Sequence, residues 1–276
     1  MIFTIDYLVQ MNKQNNSFDP KLYWENRLQN HYNLQGVGDI SLSPNYNYWS
    51  YKVTRIQFDS LISKYSSSVN ERALDIGSGK GFVVEILEAL HMKVTGIDIS
   101  ETAIHELRKK FPASNFQVVD LGTERCSFDK SSFNIITASS VLYHIVEDEK
   151  LINLLNQVRD ILAINGVFIF SDNFPQAKEF SIQHQKCRTL SQYKNILTQC
   201  GLEIVERRPN YFLFNDPVDA RGRLIKIIWR LLTSFSTKSR LFDSFIWPVL
   251  FPLELLLIKI CKESPAQEIM VVKRAK

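Results

Sequence analysis

The sequence predicts an α/β chain whose core is a mostly parallel sheet with helices on both faces, and three observations carry that reading. Between residues 72 and 207 short apolar, β-branched runs alternate with stretches of helical periodicity, and parallel strands need crossover connections of this kind. The first run passes directly into a glycine-rich turn, Gly77-Ser78-Gly79-Lys80-Gly81, where a backbone free of side chains can approach a ligand. The second and third runs end in acids, Asp98 and Asp120, at the sheet edge where ligands of doubly wound folds bind.

Taken in order, residues 1 to 20 are polar and rich in Asn and Gln, and Asp19-Pro20 then signals a helix start. An aromatic block follows, with Tyr23, Trp24, Tyr46, Trp49 and Tyr51 around Gly36-Val37-Gly38. It reads as a helix, a turn-rich loop and a second helix, so residues 1–55 are expected to form an arm and a helical lid. The strand-like runs are 72–76, 93–98, 115–119, 133–138, 167–171 and 203–207, and the helical stretches 81–90, 101–110, 147–163 and 190–200. These make a core over 56–216. Residues 217–264 read as an apolar helical insertion, and 265–276 as the last strand. Within the insertion Pro248, Pro252 and Glu254 interrupt the second apolar run, which is expected to fall short of the ~20 residues of a membrane span.

Composition narrows the function. A net charge of +4 arises from 33 basic and 29 acidic residues, with Arg108-Lys109-Lys110 the densest basic block, too thin for a nucleic-acid footprint. Cys126, Cys187, Cys200 and Cys261 form no C-x-x-C pair and no cluster at metal-ligand spacing, so no metal is expected. The opening Met1-Ile2-Phe3-Thr4-Ile5-Asp6 lacks the basic and apolar regions of a secretory signal. A cytoplasmic chain is expected, and the apolar surface of 217–262 is expected to roof a hydrophobic substrate pocket, with a homodimer interface and peripheral contact at a membrane surface as the alternatives.

The glycine turn fails two familiar patterns. A Walker A loop needs Ser or Thr after Lys80, where Gly81 stands, and a G-x-G-x-x-G fingerprint needs glycine at Phe82. Asp98, 17 positions after Gly81, is placed to take the two hydroxyls of a ribose. Asp120 ends the next strand, where it can meet an adenine amino group. The fourth strand opens into Ser139-Ser140-Val141-Leu142-Tyr143-His144 on the same edge.

Taken together these residues resemble the class I methyltransferases, which carry D-x-G-x-G-x-G at the first strand, acids at the second and third, and an S-x-x-L-x-H-like loop after the fourth. Leu162 through Asp172 is similar to that family's helix-turn-strand segment. The resemblance covers about residues 70 to 210 and the last strand. It implies a Rossmann-like, seven-stranded sheet with an antiparallel last strand, S-adenosylmethionine as cofactor and S-adenosylhomocysteine as product. It places Asp75, Gly77, Ser78, Gly79, Gly81, Asp98, Ile99, Asp120, Leu121 and Ser139 at the cofactor.

Methyl transfer requires the acceptor in line with the methyl group and water excluded, plus a base where the acceptor must shed a proton. His144 is the candidate base. Tyr23, Trp24, Tyr46, Trp49 and Tyr51 are lid candidates, and Asp172 is a candidate for orienting the acceptor. The expected acceptor is a small molecule, peptide or glycan-type compound, methylated at oxygen, with nitrogen as the alternative. The loop after the fourth strand is not [ND]-P-P-[YFW], and no cysteine follows a proline, which disfavours nucleic-acid methylation. A nicotinamide-dependent oxidoreductase and a catalytically silent binding module are the rivals of another class.

Overall fold

The computed structural model describes residues 18–120, 122–182, 184–220 and 222–275. The polar N-terminal arm expected before Asp19 lies outside them. Helices α1 (Pro20–Asn30), α2 (Leu34–Val37) and α3 (Pro44–Tyr65) come first. Asp19, Asn33 and Ser43 each cap one through a side-chain oxygen, and proline opens α1 and α3, where its missing N–H costs nothing. Helix α3 runs unbroken through residue 55, so lid and core share one helix and the expected boundary falls inside it.

The core then alternates: β1 (Arg72–Ile76), α4 (Phe82–Ala89), β2 (Lys93–Asp98), α5 (Glu101–Lys110), β3 (Asn115–Val118), β4 (Phe133–Ser139), α6 (Asp148–Ile161) and β5 (Leu162–Asn173). After a hairpin of β6 (Phe180–Ile182) and β7 (Gln185–Cys187) come α7 (Leu190–Gln199) and β8 (Leu202–Pro209). The insertion is α8 (Arg223–Lys238) and α9 (Arg240–Ile260), and β9 (Gln267–Arg274) closes the sheet.

The seven strands lie in the order β3-β2-β1-β4-β5-β9-β8. β3 to β5 pair in parallel, and β9 runs antiparallel to both β5 and β8. Strand order reverses between β1 and β4, which opens a crevice at their carboxyl ends. The strands alternate sides as a pleated backbone must. Phe168, Phe170 and Met270 pack with Leu151, Leu154 and Leu155 on one face. Val167, Ile169 and Val271 pack with Phe58, Leu61 and Val84 on the other.

Two elements differ from expectation. The fifth strand begins at Leu162 rather than 167 because Leu162 pairs with Phe133 across a register shift. The hairpin β6-β7 has strands of only three residues, too short to show an alternation of apolar and polar residues.

The larger correction concerns the insertion. Helix α9 continues through Pro248 and Pro252 for 21 residues, and is long and apolar enough to cross a membrane. Two prolines four residues apart remove N–H groups from one side of a helix. The other side carries the buried Trp247, Glu254 and Ile258, and this packing holds the helix together. Trp247 joins Tyr46, Val53, Phe214 and Ile258 in a third cluster that fastens the insertion to α3.

Glu254 completes the attachment. It is fully buried, and its two oxygens accept the amides of Phe212 at 2.7 Å and Leu213 at 2.6 Å. Burial pushes its carboxyl up to about 7 against the pull of those amides. Glu254→Ala strands both N–H groups, so it is expected to destabilise the protein by about 1–3 kcal/mol, read as a lower midpoint in thermal denaturation; an unchanged midpoint would show that these bonds do not anchor the insertion.

Candidate active site

The crevice at the strand reversal encloses about 720 Å³, its open mouth included, and its lining brings together the glycine turn, Asp75, Asp98, Ser139 and His144. The turn needs glycine at defined points. Gly77 has φ +67°, and a Cβ there would lie 2.4 Å from Cγ2 of Val141. Gly81, with φ +80°, would bring a Cβ within 2.3 Å of the Phe111 ring. It stands at the start of α4 and outside the lining, so its part is to close the turn against α5.

Asp98 ends β2, and its carboxylate ties the corner together. Oδ2 accepts the Gly79 amide at 2.8 Å, and Oδ1 accepts the Ser100 amide at 2.9 Å. Each carboxylate oxygen has a second lone pair, and Asp98 lines the crevice, so a pair of neighbouring hydroxyls fits there. Burial raises its pKa against three backbone hydrogen bonds. Asp75, at the end of β1, is buried and accepts Thr137 Oγ1 at 2.7 Å. Burial pushes it up to about 7, and the charge of Asp98 adds to the rise.

A lid of α1 and α2 covers this corner with Trp24, Leu28 and Val37. Glu25 locks it down by accepting Ser100 Oγ at 2.7 Å and Thr102 Oγ1 at 2.6 Å. Although burial opposes ionisation, the hydrogen bonds from Thr102 and Ser100 win and hold Glu25 down at about 2. Arg27 donates to the carbonyls of Gly36 and Gly38, both at 2.6 Å, and so ties α1 to α2. Tyr32 Oη donates to the Gly79 carbonyl at 3.2 Å, beneath Lys80.

His144 lies in the single 3₁₀ turn after β4, with its ring edge-on to Trp24 at 4.8 Å. Nδ1 is 3.0 Å from the carbonyl oxygen of His184. A carbonyl only accepts, so Nδ1 carries the proton and Nε2 keeps a lone pair. Burial lowers the pKa to about 3, and the ring is neutral at physiological pH. Ser140, just upstream, holds a left-handed φ of +59°. That strain is offset by the bonds Ser140 makes with Ser171 Oγ and Gln267 Nε2.

Of the residues expected at the cofactor, Asp75, Gly77, Ser78, Gly79, Asp98, Ile99 and Ser139 line the crevice. Asp120 does not: it accepts Gly122 N and Thr123 Oγ1 in its own turn. Leu121 lies outside the described residues. Of the lid candidates, Trp24 and Tyr51 line the crevice. Tyr23 stacks on His184 at 5.3 Å, one layer out. Tyr46 and Trp49 are turned away, Tyr46 against Trp247 and Trp49 against Phe251, because the insertion offers their rings an apolar partner. Asp172 is buried beneath Tyr193, whose hydroxyl donates to it, so it holds β5 to α7 rather than facing an acceptor. Sequence reasoning missed Leu28, Val37, Lys80 and Val141 in the lining, and His184 behind His144. Lys80 and Val141 lie within the two loops already singled out, whereas no local pattern marks Leu28, Val37 or His184, because lid and hairpin bring them in from afar. Among the described residues no group of three His, Cys, Asp or Glu is placed to hold a metal.

Residues 73–166 match the family model of the methyltransferase domain. The N-terminal Xaa-Pro-Lys N-methyltransferase 1-A of Xenopus laevis is 26% identical over 150 residues, 51% of this chain and 66% of that protein. The ubiquinone biosynthesis O-methyltransferase of Glaesserella parasuis is 25% identical over 126 residues, 43% of this chain and 52% of that protein. The chain therefore spans between half and two thirds of the curated relatives it matches. In structure it is similar to the CcbJ methyltransferase of Streptomyces caelestis, with a TM-score of 0.54 and 13% identity over 81% of this chain and 90% of that one. Residues 73–166 thus carry a methyltransferase domain by family model, and the fold of the chain is the Rossmann-like one of solved S-adenosylmethionine-dependent methyltransferases.

The crevice fits that family's cofactor: Asp98 for the ribose, the glycine turn for close backbone approach, and acidic Asp75 for a group that carries positive charge. Asp98→Ala is expected to weaken S-adenosylmethionine binding at least about tenfold, or ~1.4 kcal/mol, in equilibrium dialysis; unchanged affinity would remove Asp98 from the ribose. Near pH 7 Asp75 is partly protonated, and a bound cation favours its carboxylate. Binding should therefore release protons, seen calorimetrically as a heat that varies with the ionisation enthalpy of the buffer and loses that dependence in Asp75→Asn.

Proposed function

We propose that the chain is a cytoplasmic S-adenosylmethionine-dependent methyltransferase that methylates a hydroxyl group of a small-molecule, peptide or glycan-type acceptor. The observation that carries the choice of oxygen is His144, a neutral imidazole at the crevice with Nε2 unprotonated. The two relatives described above are named one for N- and one for O-methylation, so they leave the acceptor atom open.

S-adenosylmethionine supplies a methyl group already activated on a positively charged sulfur. The protein's part is to place the acceptor, exclude water and accept a proton. Trp24, Leu28 and Val37 close the lid side, and positioning of this kind is worth several kcal/mol. Nε2 of His144 accepts the acceptor's O–H, and takes its proton as the oxygen forms its new bond. That proton becomes strongly acidic as bonding proceeds, so a base held at about 3 suffices. The same base is too weak to deprotonate an ammonium before attack, which is why the site favours a hydroxyl. His184 acts through His144, fixing its tautomer by accepting from Nδ1.

His144→Ala is expected to lower kcat with hydroxyl acceptors about 10²–10⁴-fold, while leaving S-adenosylmethionine affinity within about twofold. Turnover is read as S-adenosylhomocysteine formed across hydroxyl and amine acceptor panels. Full activity in His144→Ala, or turnover of amines alone, would remove the O-methylation reading, and binding of NAD(P) in place of S-adenosylmethionine would remove the methyltransferase reading. Because the folded pKa of His144 lies far below 6.5, its neutral form persists on acidification. The wild-type kcat should hold between about pH 8 and 5.5, where an unshifted histidine would cost about tenfold.

A further inference from the structure

We propose that the outward faces of helices α8 and α9 form a docking surface for an anionic phospholipid membrane, on which the protein lies without spanning it. On α8, Leu224, Ile227, Ile228, Leu231 and Phe235 are exposed at helical spacing. On α9, Leu241, Phe245, Val249, Leu253, Leu256 and Ile260 form a second stripe at intervals of three and four. Leu241 is 85% exposed, Leu224 68% and Phe245 67%. Stripes of this size facing water mark a surface that is covered in use.

Charge identifies the cover. Between residues 222 and 262 the chain has seven cations, Arg223, Lys226, Arg230, Lys238, Arg240, Lys259 and Lys262, and two acids, Asp243 and Glu254. Both acids are consumed inside. Asp243 accepts Trp247 Nε1 at 2.9 Å and Ser43 Oγ at 2.6 Å, and Glu254 holds the amides of Phe212 and Leu213. Six of the cations, all but the half-buried Lys226, are exposed, and none of these six forms an ion pair among the described residues. An apolar stripe flanked by exposed cations complements acyl chains below anionic headgroups. A second copy of the same face would set cations against cations with no acid to meet them.

The inner side of α9 rules out a span. Trp247, Glu254 and Ile258 are buried against the body of the protein, so only one side of the helix is open to lipid. This surface is separate from the crevice, and the proposal stands or falls independently of the acceptor.

The test is co-sedimentation of the full chain with vesicles of phosphatidylcholine alone and of phosphatidylcholine with phosphatidylglycerol. Binding to the anionic vesicles is expected to be at least about tenfold tighter, and to weaken as salt rises from about 0.1 to 1 M and the screening length falls from ~10 to ~3 Å. Leu231→Glu with Phe245→Glu should abolish sedimentation while thermal midpoint and S-adenosylmethionine affinity stay at the wild-type values, since both side chains are exposed. Arg230→Glu with Lys259→Glu should remove the preference for anionic vesicles. Three results would each overturn the proposal: no sedimentation with anionic vesicles, a stable dimer in sedimentation velocity that Leu231→Glu with Phe245→Glu converts to monomer, or vesicle binding that resists both high salt and carbonate extraction as a spanning helix does.

Discussion

The site rests on one short contact, the Gly79 amide donating to Asp98. It joins the end of β2 to the glycine turn after β1, so the two strands on one side of the sheet reversal present a single surface. From the same carboxylate the other oxygen receives Ser100, which starts α5 and whose hydroxyl donates to Glu25 of the lid. Sheet, turn, helix and lid thus meet within two side chains. Neutralising Asp98 would loosen all four at once, which makes it a structural residue as well as the candidate for the ribose.

That corner is also electrostatically unsettled without a ligand. Asp75, Asp98 and Glu25 converge on it, and two of the three raise the pKa of a neighbour: Glu25 that of Asp98, and Asp98 that of Asp75. Glu25 is relieved by hydroxyls and an amide, and Asp98 by backbone amides. Asp75 accepts the hydroxyl of Thr137 but no backbone amide among the described residues, so it bears the remaining cost as a carboxyl pushed up to about 7. A cationic ligand removes that cost, and the preference for one is built into the empty fold by burial rather than by any added basic or acidic patch.

The donor half of this arrangement was legible in the sequence because it is made of consecutive residues at strand ends. A strand followed by glycines, and a strand ending in an acid at a fixed distance, survive as patterns in one dimension. Asp120 shows the limit of that reasoning: it follows the end of β3 as expected, but it bonds into a local turn with Gly122 and Thr123 and lies outside the crevice lining. The lid side of the crevice is assembled from distant pairs, His144 with His184 and Trp24 with His144. Nothing in the local sequence at residue 184 says that its carbonyl will set a tautomer at residue 144.

The aromatic block illustrates the same principle from the packing side. Tyr46, Trp49 and Tyr51 sit within two turns of one helix, and only Tyr51 faces the crevice. A step of two residues turns a helical side chain through about 200°, so Tyr51 points away from Trp49. The insertion then decides which direction counts as inside. Because Trp247 and Phe251 offer apolar partners to Tyr46 and Trp49, those rings become the foundation of α9 rather than part of the lid. One helix therefore serves two surfaces, the crevice on one side and the apolar helical pair on the other.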